Sequence, residues 1–266
     1  MLNRAFDACH ARGVIDIAAK ASELLRLHHT GTTLVLPTVW DAWSARTVAD
    51  AGFPALSIGS HPLADSRGQQ DNEGMTLADA LDGIRRVTAA ADVPVSADME
   101  SGYDTPAAEL VERVLDAGAV GINIEDTVHS EGRLREVQEH ADYIGALRTA
   151  ADQAGVELMI NARTDAFMGK TVTFEDPLAE AVRRLQACEA AGARCVYPVR
   201  VPNAETLRTL LAQMSGPVNI TAHPVHGAPS GSFEQLQEAG VQRITFGPLL
   251  LAALTDKVIE LVTPWR

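Results

Sequence analysis

The sequence predicts a (β/α)8 TIM barrel, and three observations point there. The chain is 266 residues long, close to the usual size of such barrels and long enough to bury a large core without staples. Eight short apolar runs recur along it, each followed by a segment with helical spacing. An Ala-Gly pair stands just before four of the runs, at Ala51-Gly52, Ala117-Gly118, Ala191-Gly192 and Ala239-Gly240. A helix that ends on a left-handed glycine and turns tightly into a parallel strand produces that phrase.

The runs cover residues 33–37, 55–59, 94–98, 120–125, 157–163, 194–198, 217–221 and 242–247. Each is continuous rather than alternating, as expected of strands buried on both faces. Residues 77–91 carry apolar side chains at helical spacing. Thr105-Pro106 reads as an N-cap followed by proline at the first helical position, opening a helix over 107–117 that Gly118 closes. Asp176-Pro177 and Gly192 bracket the helix after the fifth strand in the same way. Residues 15–28, ahead of the first strand, read as an extra helix placed to cover the N-terminal end of the barrel. A composition 46% hydrophobic and only 5% aromatic suits helices on a parallel sheet. No GxGxxG follows the first strand and no Pro/Gly/Ser-rich linker divides the chain, so residues 1–266 read as one barrel domain.

The formal net charge of −13 repels nucleic acid, and the basic pairs Arg85-Arg86 and Arg183-Arg184 are too short to form a binding stripe. Cys9, Cys188 and Cys195 make no disulfide framework; Cys188 and Cys195 read as core. The first twenty residues hold no signal-peptide core and no run is long enough to cross a membrane, so the cytoplasm is the expected location.

Barrel active sites lie at the C-terminal ends of the strands. There the sequence delivers Asp98 and Glu100 after strand three, Glu125 after strand four and Arg163 after strand five. The long loop after strand two adds Asp71. Several carboxylates at one point repel unless a cation joins them. Oxygen ligands alone suit a hard ion, Mg²⁺ or Mn²⁺, rather than a thiophilic one. Such an ion chelates the two oxygens of a 2-oxo acid and stabilises a developing enolate as a Lewis acid. Arg163 is suited to bidentate pairing with the substrate carboxylate. Asp126 and Asp165 are assigned to capping or bracing, and the Tyr103 hydroxyl to the site. Strand seven delivers Asn219, Thr221 and His223, of which Asn219 is assigned to substrate binding.

At these residues the sequence resembles the isocitrate lyase/phosphoenolpyruvate mutase superfamily. The motifs are Ala97-Asp98-Met99-Glu100-Ser101-Gly102-Tyr103, Gly121-Ile122-Asn123-Ile124-Glu125-Asp126 and Asn161-Ala162-Arg163-Thr164-Asp165. The resemblance implies that Asp98 contacts Mg²⁺ directly and that Glu100, Glu125 and Asp71 hold it through water. It implies that Arg163 binds the carboxylate and that Gly59, Ser60 and His61 grip the 2-oxo acid. It further implies a homo-oligomer, a tetramer or dimer, in which the last helix, 249–262, is swapped between subunits. The family's K-K-C-G-H loop has no counterpart: residues 127–134 read Thr-Val-His-Ser-Glu-Gly-Arg-Leu. The Lys and Asn-Ser pair of the phosphonate enzymes are absent as well.

The expected function is therefore a Mg²⁺-dependent lyase that cleaves a C–C bond beside a 2-oxo acid through its enolate. Its substrate would be a small 2-oxo or 2-hydroxy carboxylate, with His129 or Arg133 handling protons. The alternatives are a mutase or hydrolase acting on a C–P bond, and a binding protein that keeps the pocket without catalysis.

Overall fold

The computed structural model describes residues 17–266. Cys9, and residues 15 and 16 of the expected first helix, lie outside the described residues. The remainder of that helix, α1, spans 17–27. Strand β1 (Leu34–Leu36) continues past Pro37 as β2 (Thr38–Val39). Proline has no amide hydrogen to offer, and at this point the strand changes partners. β1 pairs with the last strand, whereas β2 pairs with the next one.

The order continues α2 (Ala42–Asp50), β3 (Leu56–Ile58), α3 (Ser60–Ser66), α4 (Leu77–Thr88), β4 (Val95–Asp98), α5 (Ala107–Asp116) and β5 (Gly121–Glu125). A short antiparallel hairpin follows, β6 (Thr127–Val128) and β7 (Arg133–Leu134), then α6 (Val137–Gln153) and β8 (Met159–Thr164). The chain ends with α7 (Pro177–Ala190), β9 (Cys195–Pro198), α8 (Ala204–Leu211), β10 (Asn219–Thr221), α9 (Phe233–Glu238), β11 (Arg243–Thr245) and α10 (Leu249–Val262). The strands run parallel in the order β2-β3-β4-β5-β8-β9 and β1-β11-β10. A parallel bridge from Val196 to Val218 joins β9 to β10, so the sheet closes on itself. All eight expected strands are present.

The local chemistry explains the joints. The Ala-Gly glycines adopt left-handed conformations: Gly52 at φ 92°, Gly118 at 86°, Gly192 at 106° and Gly240 at 90°. Asp176 caps α7 through Ala179 N, with Pro177 in the first turn. One expectation is corrected. The cap position of α5 belongs to Pro106, not Thr105, whose hydroxyl donates to the Tyr103 carbonyl. A residue before proline is pushed away from helical angles, and here the helix opens after the ring.

The two faces of the strands differ. Outward-facing Ile122, Ile124, Ile160, Ala97 and Ile58 pack under the helices in the largest apolar cluster. The inward face is more polar, carrying Ser96, Asn123, Asn161, Asn219 and Arg243, all buried. Beneath that layer Ala21, Leu24 and Leu27 of α1 pack with Leu34, Leu36, Met159 and Cys195. Helix α1 thus plugs the N-terminal end, as expected from its place in the sequence. A side chain at Gly121 would strike Leu24 Cδ2 at 2.9 Å, so glycine is what lets the plug seat.

His28, just past α1, is buried, with Nδ1 2.7 Å from the Leu24 carbonyl. Burial, aided by the charge of Arg243, pushes its pKa down to about 3. His140 in α6 is likewise held at about 3, chiefly by burial. Both rings are neutral in the fold and titrate near their ordinary value of 6.5 once unfolded. Their stabilising contribution is whole above pH 6.5 and falls as the pH drops towards 3. Near pH 4.5 each costs about 2–3 kcal/mol. Urea midpoints should decline steeply between pH 6 and 4, and His140→Gln should flatten that slope. An equal slope in the variant would show that His140 is not buried neutral.

Candidate active site

The C-terminal mouth of the barrel is built from turns that ordinary residues rarely adopt. After β4, Glu100, Tyr103 and Asp104 have φ of 50°, 55° and 49°, around Gly102 at 101°. In the loop after α3, Asn72 and Glu73 have φ of 63° and 59°. Left-handed non-glycine residues persist only where their surroundings fix them, and they gather at functional sites. Here Glu73 supplies the fixing. Its Oε1 accepts from Ser101 Oγ at 2.5 Å and from Tyr103 N at 2.9 Å, while its own N–H donates to Glu100 Oε2 at 2.5 Å. Glu73 stands two residues after Asp71 in the sequence, with no local motif to give it a role. Only the fold shows that it ties two distant loops together.

Asp98 stands at the end of β4, where its Oδ2 accepts from Ser60 Oγ at 3.1 Å. Burial raises its carboxyl above the usual range; the Arg163 charge opposes this and Asp71 adds to it. Glu100 is pushed up to about 8 by burial, against a 2.6 Å hydrogen bond from the Tyr103 hydroxyl. Burial also raises Glu125, against the pull of Arg163 and His129. Asp71 lies 3.3 Å from His61 Nδ1, and its Oδ1 is buried with no hydrogen-bond partner among the described residues. The four acids therefore feel one another's charge: Asp71 raises Asp98 and Glu100, and Asp98 raises Glu125.

Arg163, at the end of β8, bridges the far side of this mouth. Its Nη1 lies 2.5 Å from Glu125 Oε2 and its Nε 2.7 Å from Asp165 Oδ1. The β6–β7 hairpin folds over the mouth and brings His129 Nε2 to 2.5 Å from Glu125 Oε1. A cavity of about 140 Å³ opens beside them, lined by Thr127, His129, Leu134, Arg163, Met168 and Lys170 among others. Asp126 has the bracing role expected of it. It accepts from Thr164 Oγ1 and Asp165 N, and Arg184 of α7 pairs with it at 3.1 Å.

Gly59 caps α3, and a side chain there would meet Thr38 Cγ2 at 2.8 Å, so the backbone approaches as only glycine allows. Ser60 and His61 begin that helix, each touching one of the acids. Three expectations need correction or refinement. Arg133 faces solvent and is held by Glu131 and Glu139, which raise its pKa further, so it neither reaches the mouth nor gives up a proton. Tyr103 has its pKa raised by burial and by Glu100, which makes it a donor that fixes Glu100 rather than an acid. Asn219 is fully buried inside the barrel, donating to Thr245 Oγ1 at 3.3 Å. The residue two further along β10, Thr221, meets the Tyr197 hydroxyl at 2.5 Å. Among the described residues no three His, Cys, Asp or Glu side chains are grouped closely enough to ligate one ion directly. Three of the acids are instead each paired with a neighbouring donor: Glu125 with Arg163, Glu100 with the Tyr103 hydroxyl and Asp71 with His61.

A closed parallel barrel with a buried acidic mouth, a bridging arginine and a covering hairpin defines a β/α-barrel enzyme. The chain belongs to the phosphoenolpyruvate phosphomutase family, whose model matches residues 24–263, and so to the isocitrate lyase/phosphoenolpyruvate mutase superfamily. It is 30% identical over 245 residues to an oxaloacetate decarboxylase of Rhodopseudomonas palustris, covering 89% of this chain and 82% of that one. A 2-methylisocitrate lyase of Halalkalibacterium halodurans is 27% identical over 236 residues, covering 85% and 75%. Among solved structures, a protein of Burkholderia cenocepacia J2315 provisionally assigned as a phosphonomutase superposes with a TM-score of 0.83. It is 38% identical and the match covers 92% of this chain and 99% of that one. Among the described residues no helix is long and apolar enough to cross a membrane.

Proposed function

We propose that this protein is a Mg²⁺-dependent lyase that cleaves a C–C bond next to a 2-oxo acid unit by way of an enolate, which is protonated before the 2-oxo acid leaves. The supporting observation is the mouth itself: four carboxylates within reach of one another's charge, with a buried Asp71 oxygen that has no hydrogen-bond partner among the described residues. That donor set, all oxygen, fits a hard divalent cation that keeps part of its water. Asp98 would hold it directly, and Asp71, Glu100 and Glu125 through water. When bound, the cation polarises the 2-oxo acid oxygens. Arg163 orients the substrate carboxylate with its planar fork. Ser60 and the backbone at Gly59 fix the other end. His129, hydrogen-bonded to Glu125, is placed to pass a proton at the edge of the cavity. The cavity beside Arg163 would receive the leaving half, and the hairpin would keep water from the reacting carbon.

Turnover of a panel of 2-oxo and 2-hydroxy acids, bearing carboxylate or phosphonate at C3, tests this reading. Release of pyruvate or a similar 2-oxo acid from the carboxylates supports it. The likeness to the Burkholderia protein favours a second reading, chemistry at a C–P bond, and turnover of the phosphonates alone would establish that instead. Binding without turnover across the panel would point to a protein that keeps the pocket only.

We further infer a homo-oligomer built on α10. No residue of that helix is buried, yet it carries exposed Val258, Ile259, Leu261 and Val262, and Trp265 beyond it is 90% exposed. So much contiguous apolar surface marks an interface, and an exchanged helix between copies would cover it. The protein should elute as a dimer or tetramer in light scattering. Ile259→Asp with Val262→Asp should yield monomers, and an unchanged mass would remove α10 from the interface.

A further inference from the structure

Arg243 is the one inward-facing residue of β11 whose charge the proposed chemistry does not use. It is 0% exposed. Its Nη2 donates to Ser96 Oγ at 3.2 Å and to Asn123 Oδ1 at 3.3 Å, both uncharged. Its Nε and Nη1 have no hydrogen-bond partner among the described residues. A buried cation without a carboxylate is costly, and its field carries far where water is excluded.

The two groups that it grips place that charge. Ser96 lies two residues before Asp98 on β4, and Asn123 two residues before Glu125 on β5. Side chains two apart on a strand share a face. Asp98 and Asn123 are also register partners across β4 and β5. The guanidinium therefore lies one inward step beneath two of the four acids. Burial disfavours its charge, while Cys195, Tyr197 and then Asp98 favour it. From below, His28 faces it as a neutral ring. Around it, Asn161 Oδ1 and Asn219 Oδ1 also lack partners among the described residues, so the layer holds donors and acceptors that ordered water suits.

We propose that Arg243 is the internal counter-charge of the acidic mouth, a positioning residue that limits how tightly the acids hold a divalent cation. This rests on the cation reading above. A cation beneath the mouth opposes a cation arriving from above, so removing it should strengthen binding. A residue needed only for packing would weaken binding or leave it unchanged when replaced.

The probe is Mn²⁺ alone, titrated into the whole protein and followed by electron paramagnetic resonance. Arg243→Met should bind Mn²⁺ about tenfold more tightly, whereas Arg243→Lys, which keeps the charge, should match the wild type within about twofold. Unchanged or weaker binding by a folded Arg243→Met overturns the proposal. Should that variant not fold, Asn219→Asp gives Arg243 a carboxylate on its register partner. Its metal-free melting temperature should rise and its Mn²⁺ binding should tighten; a fall in melting temperature overturns the proposal. A wild type that binds no Mn²⁺ is a separate result, which removes the cation reading itself and this inference with it.

Discussion

Asp98→Ala is expected to abolish turnover while leaving the fold intact. Asp98 is the acid at the end of β4, and the proposed function makes it the direct ligand of the cation. Its nearest hydrogen-bond donors are Ser60 Oγ and the Glu100 amide, neither of which carries charge. Loss of a direct ligand removes both the ion and its Lewis acidity. A fall of at least about 10³ in kcat/KM, about 4 kcal/mol, follows. The metal-free variant should melt no lower than the wild type, because the substitution removes a carboxylate that burial disfavours. Turnover in magnesium buffer and melting in chelator together check this. Retained turnover would disprove the role given to Asp98.

Arg163→Gln should have the second largest effect, and it differs in kind. Arg163 compensates Glu125 and Asp165 at once. Without it, both carboxylates remain buried with less pairing, a cost of about 3–5 kcal/mol in stability. The substrate also loses its bidentate partner. Arg163→Lys separates the two effects, since lysine keeps the charge but lacks the fork. Lysine should restore most of the melting temperature and little of kcat/KM. Equal recovery of both would mean that Arg163 serves the fold and not the substrate.

Much of the barrel was legible because its signals are local. Continuous apolar runs identify strands covered on both faces, and left-handed glycines such as Gly118 and Gly192 mark where each helix must stop. The acids were legible because strand alternation puts Asp98 and Glu125 inward at the open end. What could not be read depends on contacts between distant segments. Glu73 acquires its role only when its loop meets the turn 100–104. Arg133 and His129 sit four residues apart in one hairpin, yet one turns to solvent and the other to Glu125. Arg243 hid inside an apolar run, although a charged residue there was itself the signal.

Everything proposed for the mouth requires the acids to share a divalent cation that a 2-oxo acid chelates. Melting of the wild-type protein, measured with Mg²⁺, with oxalate, and with both, tests that most directly, because oxalate matches the shape and charge of a pyruvate enolate. Stabilisation by mass action should be small for either ligand alone and several degrees larger for the pair. Shifts that simply add, or oxalate stabilisation that persists fully in chelator, would contradict it.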